Sequence, residues 1–299
     1  LILAAVPIFA AALIYGCGSG GGGSSEGPAP TASSTATVSG QAMKGPFNIG
    51  ASVTAVQLGG SGRATGSITD AAGSYSVAIS WTGFTEISVS GVYADEFTGQ
   101  NSLVAPILST LINIPSGMSS VTGHVNLATT LVAKLVESSI QGGQTLDAQL
   151  VFESEQAVAR ATASLLGSTT TLGNLSLVDF KQNTPGAAAL LAFQLAVTAS
   201  VPAGSTVEQV VQQFVQNIKS GNPLGTAVPG VSGVTRQSLI SNLSQLKTFT
   251  LTYSRTGNPV PLVLVLQRLA SWAGVQILPA DLISQIDSVG LQSITVTPS

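Results

Sequence analysis

The sequence predicts a multidomain α+β protein, with an N-terminal β-sandwich and connector over residues 38–120 and a mostly α-helical domain over 121–299. Three observations predict it. Apolar residues alternate with period two from Val38 to about Ala105, as on half-buried strands. Past about Val121 they recur at helical spacing. A run rich in Gly, Ser, Thr and Pro at 18–37 separates both regions from an apolar N-terminal stretch. The 299 residues suffice for about two compact domains.

Residues 1–16 form a short apolar run that ends in small residues, the pattern of a secretory signal. A membrane-crossing helix needs about 20 apolar residues, and the glycines from Gly16 onward stop the run too early. A buried core helix would need its periodicity continued on one side, and neither side continues it. Cys17, the only cysteine in the chain, follows directly. Ile14-Tyr15-Gly16-Cys17 resembles the lipobox of bacterial lipoproteins. The resemblance implies that 1–16 is a signal peptide and that the thiol of Cys17 carries a diacylglycerol. It also implies a bacterial cell-envelope location with the membrane as a partner through that lipid. Gly18 in place of Asp after the cysteine implies the outer membrane in a diderm host. The run lacks an initiator Met and any preceding Lys or Arg, so the signal is expected to be truncated at its start.

Residues 17–37 hold the lipidated Cys17 and then almost no apolar bulk. Such a segment cannot bury enough surface to offset ordering entropy, so it reads as a flexible tether. In the next region Tyr75, Val77 and Ile79 alternate with serines, and Ile87 and Val89 with Glu86, Ser88 and Ser90. These five apolar residues are expected to face inward. Gly40–Val56 (GQAMKGPFNIGASVTAV) and Thr69–Tyr75 (TDAAGSY) resemble the opening and the T-D-x-x-G-x-Y/F hairpin of carboxypeptidase regulatory-like domains. That resemblance implies a transthyretin-like β-sandwich used as a spacer or accessory module. Gly91–Gly99 (GVYADEFTG) resembles a variant found in bacterial envelope lipoproteins. The turn has its own logic: Asp70 accepts from backbone N–H groups two residues on, and Gly73 supplies a positive φ.

In the second half, Ser205 and Glu208 are spaced as a capping box. Val207, Val210, Val211, Phe214, Val215 and Ile218 then make one apolar helix face, closed by Gly221 and Pro223. Further helices are expected at 126–140, 147–166, 185–199, 236–249, 260–273 and 279–288. Pro185, Pro261 and Pro279 fall where a first-turn proline is tolerated. Leu291–Thr297 reads as a terminal strand.

Composition narrows the chemistry. Only 8% of residues are charged, against about a quarter in ordinary domains. The ten Lys and Arg are scattered and the net charge is −3, which argues against nucleic-acid binding. With Cys17 committed to lipid, no disulfide forms within one chain. His124 is the sole histidine and stands where the two regions join. It reads as a junction-loop residue. Ser244-Gln-Leu-Lys247 and Arg255-Thr-Gly257 match penicillin-binding motifs only by chance spacing. Asp95 and Glu96 are the one adjacent carboxylate pair, open to a cation but without a third acidic neighbour. Glu153 and Glu155 point to different faces of a helix and do not form a glycosidase pair. No metal, cofactor or catalytic residue is expected, and the only site residue is Cys17.

Three functions remain open. The first is a non-enzymatic envelope lipoprotein with a binding or structural role and a protein or glycan partner. The second is a glycan-binding accessory protein using exposed Trp81 or Tyr93 as a platform. The third is a hydrolase built from carboxylates converging in the helical region.

Overall fold

The computed structural model describes residues 36–45, 47–93, 101–166, 174–179, 185–231, 233–245, 250–252 and 293–295. Seven strands come first: β1 (Ala36–Gln41), β2 (Ser52–Gln57), β3 (Arg63–Ser67), β4 (Ser74–Ile79), β5 (Gly83–Ser90), β6 (Ile107–Ile114) and β7 (Ser120–Thr122). Helices α1 (Leu127–Gln141), α2 (Ala148–Leu166), α3 (Pro185–Ser200), α4 (Val207–Lys219) and α5 (Arg236–Gln245) follow, with a 3-10 turn at Leu175–Leu177 between α2 and α3. A small antiparallel pair, β8 (Thr250–Thr252) with β9 (Ser293–Thr295), completes the order. The chain is thus an α+β protein whose strands lie mostly toward its N-terminus. β9 falls inside the strand expected at the C-terminus. The helices expected at 260–273 and 279–288 lie outside the described residues.

The first seven strands make a three-stranded sheet in the order β4-β1-β7 and a four-stranded sheet in the order β3-β2-β5-β6. β1 runs antiparallel to β4 and parallel to β7, whereas every pairing in the larger sheet is antiparallel. Tyr75, Val77 and Ile79 of β4 are buried, as are Ile87 and Val89 of β5, so the alternation read from the sequence does place these five inward. Between β3 and β4, Asp70 Oδ1 accepts from the N–H groups of Ala72 at 2.9 Å and Ser74 at 3.0 Å. Gly73 sits at φ +74°, a left-handed conformation that costs glycine little.

Gly40 serves a different need. A Cβ there would lie 1.8 Å from the Gly123 carbonyl oxygen and 2.9 Å from the Tyr75 hydroxyl. The buried Tyr75 hydroxyl donates to that same carbonyl, and burial pushes its pKa well above the usual phenol range. A strand crossing this close admits no side chain.

β6 lies within the stretch expected to be a connector. Its partner on one side is β5, from Gly83↔Ile114 to Ser90↔Ile107. On the other side helix side chains take its backbone. Ser109 N–H donates to Thr130 Oγ1 at 2.9 Å, and the Ser109 carbonyl accepts from Thr129 Oγ1 at 2.8 Å. Ile107 N–H donates to Glu208 Oε1 at 2.9 Å. An edge strand with free N–H groups invites pairing with another chain, and here α4 and α1 occupy those of Ile107 and Ser109.

The helices start on side-chain caps. Asn126 and Thr129 form a reciprocal capping box for α1. For α4 the box is Thr206 with Gln209, one residue later than the expected Ser205 with Glu208. The shift follows from Glu208, whose carboxylate is engaged by β6 and so does not fold back on its own helix. The expected apolar face is present, with Val207, Val210, Val211, Phe214 and Val215 buried. Phe214 meets Phe193 of α3 at a ring-centroid distance of 6.3 Å. Buried side chains of both large sheets and of α1 to α4 belong to one continuous hydrophobic core. The period change near residue 121 therefore marks a change of element within the unit Ser34–Ser299.

Candidate functional site

Among the described residues, the side chains singled out by sequence do not converge. Cys17, Asp95, Glu96, Lys247 and the Arg255–Gly257 motif lie outside the described residues, as does the side chain of Ser244. His124 is half-buried between β7 and α1. Its ring Nδ1 accepts from the Gln41 backbone N–H at 3.2 Å, and its backbone N–H donates to the Ser176 carbonyl at 2.8 Å. The imidazole thus helps to tie the end of β1 to the start of α1.

The aromatic platform is corrected in part. Tyr93 is 5% exposed and tilts against Phe47 at 6.0 Å, so it offers no face to a sugar. It belongs to the core because an isolated antiparallel bridge pairs it with Phe47 and the Lys44 ammonium lies against its ring. Trp81 is half-buried, bonded through Nε1–H to Thr85 Oγ1 at 2.9 Å and packed on Gly62.

Glu153 and Glu155 both lie on α2, as expected, and do not pair. Glu153 accepts from Gln149 Nε2 at 2.7 Å. Burial raises the pKa of Glu155 above its ordinary 4.5, so the folded chain holds this proton more tightly than the unfolded chain does. Stability from this group therefore falls as pH rises from 4.5 through the raised folded value. Glu155→Gln removes the ionisation. It is expected to raise the thermal midpoint relative to the parent chain more at pH 7 than at pH 4. Equal effects at the two pH values, read by differential scanning calorimetry, would contradict this.

Sequence reasoning missed Lys44, which is 1% exposed in a chain with few charges. Its Nζ donates to Thr198 Oγ1 of α3 at 2.5 Å and lies 4.8 Å from the centroid of the Tyr93 ring. A buried ammonium needs such partners, because desolvation costs several kcal/mol, on the order of an ion pair's whole gain. The ring's negative face supplies part of the compensation. The signal was present in the sequence: a lone lysine between Met43 and Phe47, both of which are buried.

Two clefts flank α1. One, of about 280 Å³, has Leu58, Leu111, Ala133, Ile140 and Leu146 as its apolar lining and Glu86, Glu137 and Gln141 as its polar groups. The residues from α1 sit at 133, 137, 140 and 141, a spacing that puts them on one helix face. The second cleft, of about 340 Å³, lies between α1 and α4 and includes Lys134, Glu137, Gln212, Gln216 and Glu208. Lys134 Nζ is 2.8 Å from Glu137 and 3.9 Å from Glu86. Burial alone would lower its pKa, but the hydrogen bond to Glu137 and the charges of Glu86 and Glu137 outweigh this and raise it.

Among the described residues, no helix is long and apolar enough to cross a membrane, and no group of three or more His, Cys, Asp or Glu is placed to hold a metal ion. Compared with known proteins, the chain matches no family model, no curated protein and no solved structure.

Proposed function

We propose that this chain is a lipid-anchored protein of the bacterial cell envelope with a non-enzymatic binding or structural role. The observation that carries the proposal is the position of Cys17, the single cysteine, directly after an apolar run that closes on Gly16. The Gly/Ser/Thr/Pro-rich segment after Cys17 then spaces the folded unit from the lipid, and it ends earlier than the expected residue 37, because β1 already begins at Ala36. Within that unit, the two large sheets form a β-sandwich of the carboxypeptidase regulatory-like type. The Asp70–Gly73 turn and the glycine crossing at Gly40 support this assignment. A role without catalysis fits how the polar side chains are used: His124, Lys44, Thr129 and Thr130 each hold one element to another.

The test is Cys17→Ser, expressed behind a complete signal peptide in a diderm host. The parent chain should fractionate with membranes and incorporate labelled fatty acid, since two or more acyl chains anchor stably where one is marginal. The serine variant should be unlabelled and released from the membrane fraction. Normal processing together with unchanged membrane retention of the variant would overturn the reading.

A further inference from the structure

Among the described residues, eight large hydrophobic side chains are exposed, and four of them stand at one end of the two sheets: Ile49, Leu103, Val104 and Ile107. The strand registers fix that end. Ser52 of β2 lies opposite both Ser67 of β3 and Ser90 of β5, and Ser90 lies opposite Ile107 of β6. The turn from Ser67 to Ser74 carries the same end into the other sheet, where Ser74 lies opposite Gln41 of β1. The loop after β1 and the loop before β6 therefore meet there. β1 begins at the opposite end, with Ala36 across from Ile79. Hydrogen bonds build the tip. Asn48 Nδ2–H donates to Asn101 Oδ1 at 2.9 Å, and Asn48 N–H to the Val92 carbonyl at 2.9 Å. Tyr93 N–H donates to Ser102 Oγ at 3.1 Å, while its carbonyl accepts from Ser102 N–H at 2.8 Å. The Ser102 hydroxyl donates to the Val104 carbonyl at 2.7 Å, and Pro106 is buried beneath.

Leu103 is fully exposed, and Ile49, Val104 and Ile107 are each more than half exposed. Ile49, Leu103 and Val104 line neither cleft beside α1; they project. A projecting apolar side chain needs a partner that deforms around it, which fluid hydrocarbon does and a protein surface without a preformed pocket does not. Entry into lipid also penalises unpaired polar groups, and the bonds of Asn48, Asn101 and Ser102 reduce that cost. Segments 47–52 and 101–107 hold no charged residue. Glu208 stands beside the tip on Ile107 N–H, and Asp95 and Glu96 fall between the two loops in sequence. These acidic groups disfavour an anionic surface. We propose that the tip inserts its apolar side chains into a zwitterionic lipid surface, at the boundary of headgroups and acyl chains. Its nearness to a bilayer rests on the reading of Cys17 as lipid-bearing. The 18 residues Gly18–Thr35 then reach roughly 20–25 Å. That matches the length of the eight-residue β6, about 26 Å, so the anchored chain can tilt its far end onto the same bilayer.

The test uses the full chain with Cys17→Ser and Leu103→Cys, whose one thiol is labelled with an environment-sensitive fluorophore and mixed with phosphatidylcholine vesicles. Emission should rise severalfold and shift to the blue as the label leaves water. The same label at Met118→Cys should respond little, since Met118 is exposed at the opposite end, beside the Thr37–Ser119 backbone bond. Adding Ile49→Ser and Val104→Ser to the Leu103→Cys chain should weaken partitioning of the tip about tenfold or more. Both positions are exposed, and matching circular dichroism spectra show that the fold is kept. The serine at position 17 keeps lipid out of this experiment. Its failure is therefore separate from failure of the anchoring reading, which fatty-acid labelling of the parent chain reports. The proposal is overturned by no response to phosphatidylcholine, by an equal response at position 118, or by serine substitutions without effect. It is also overturned by a response that requires an anionic lipid. A response in buffer that grows with protein concentration would overturn it too, assigning the tip to a second copy of the chain.

Discussion

Gly40→Ala is expected to destabilise the fold by about 3 kcal/mol or more, the upper range for forced overpacking. The added methyl meets the Gly123 carbonyl oxygen at 1.8 Å, and backbone cannot rotate away as a side-chain tip can. Relief requires β1 and β7 to separate. That movement would disturb the Ser39 carbonyl, which accepts from Gly123 N–H at 2.9 Å, and the Tyr75 hydroxyl's bond to the Gly123 carbonyl. Tyr75→Phe isolates the second of these effects. It removes one buried hydroxyl bond without a collision and should cost only about 1 kcal/mol. Chemical denaturation of the two variants checks the ordering. A Gly40→Ala chain as stable as Tyr75→Phe would show that the crossing is looser than the geometry states.

Phe214→Ala should cost about 3–5 kcal/mol, as for other buried aromatics truncated to alanine. The ring is fully buried on α4 and faces Phe193. The more informative expectation concerns where the loss is felt. Because sheets and helices share one hydrophobic core, amide exchange should accelerate at Val77 and Val89 in the strands as well as along α4. Native-state hydrogen exchange reads both. Acceleration confined to the helices, with strand protection unchanged, would mean that the core is energetically divided despite its continuity.

Much of this architecture was legible because local patterns agreed with the tertiary outcome. β4 and β5 show alternation because one face of each meets the core and the other meets more polar surroundings. α4 shows a clean 3.6-residue period because one face alone is buried. β6 was illegible for the complementary reason: residues 108–112 are all buried, so no alternation survives in Ile107–Ile114. The α4 cap moved by one residue because a distant strand claimed Glu208, which local spacing cannot reveal. Tyr93 and Lys44 were hidden similarly, since each is buried by a partner far away in sequence. Lys44 and Thr198 are separated by 154 positions. The cleft beside α1 draws on β2, β5, β6 and α1 together, and no window of sequence contains it.

The protection of β6 also has a timetable. Its Ile107 N–H is satisfied by a carboxylate 101 residues later in the chain. At ordinary synthesis rates of about 5–20 residues per second, that interval lasts roughly 5–20 s. During it the nascent chain carries a strand edge whose final cover has not been made. In that interval the Ile107 end of the edge is open to pairing with another copy of the chain.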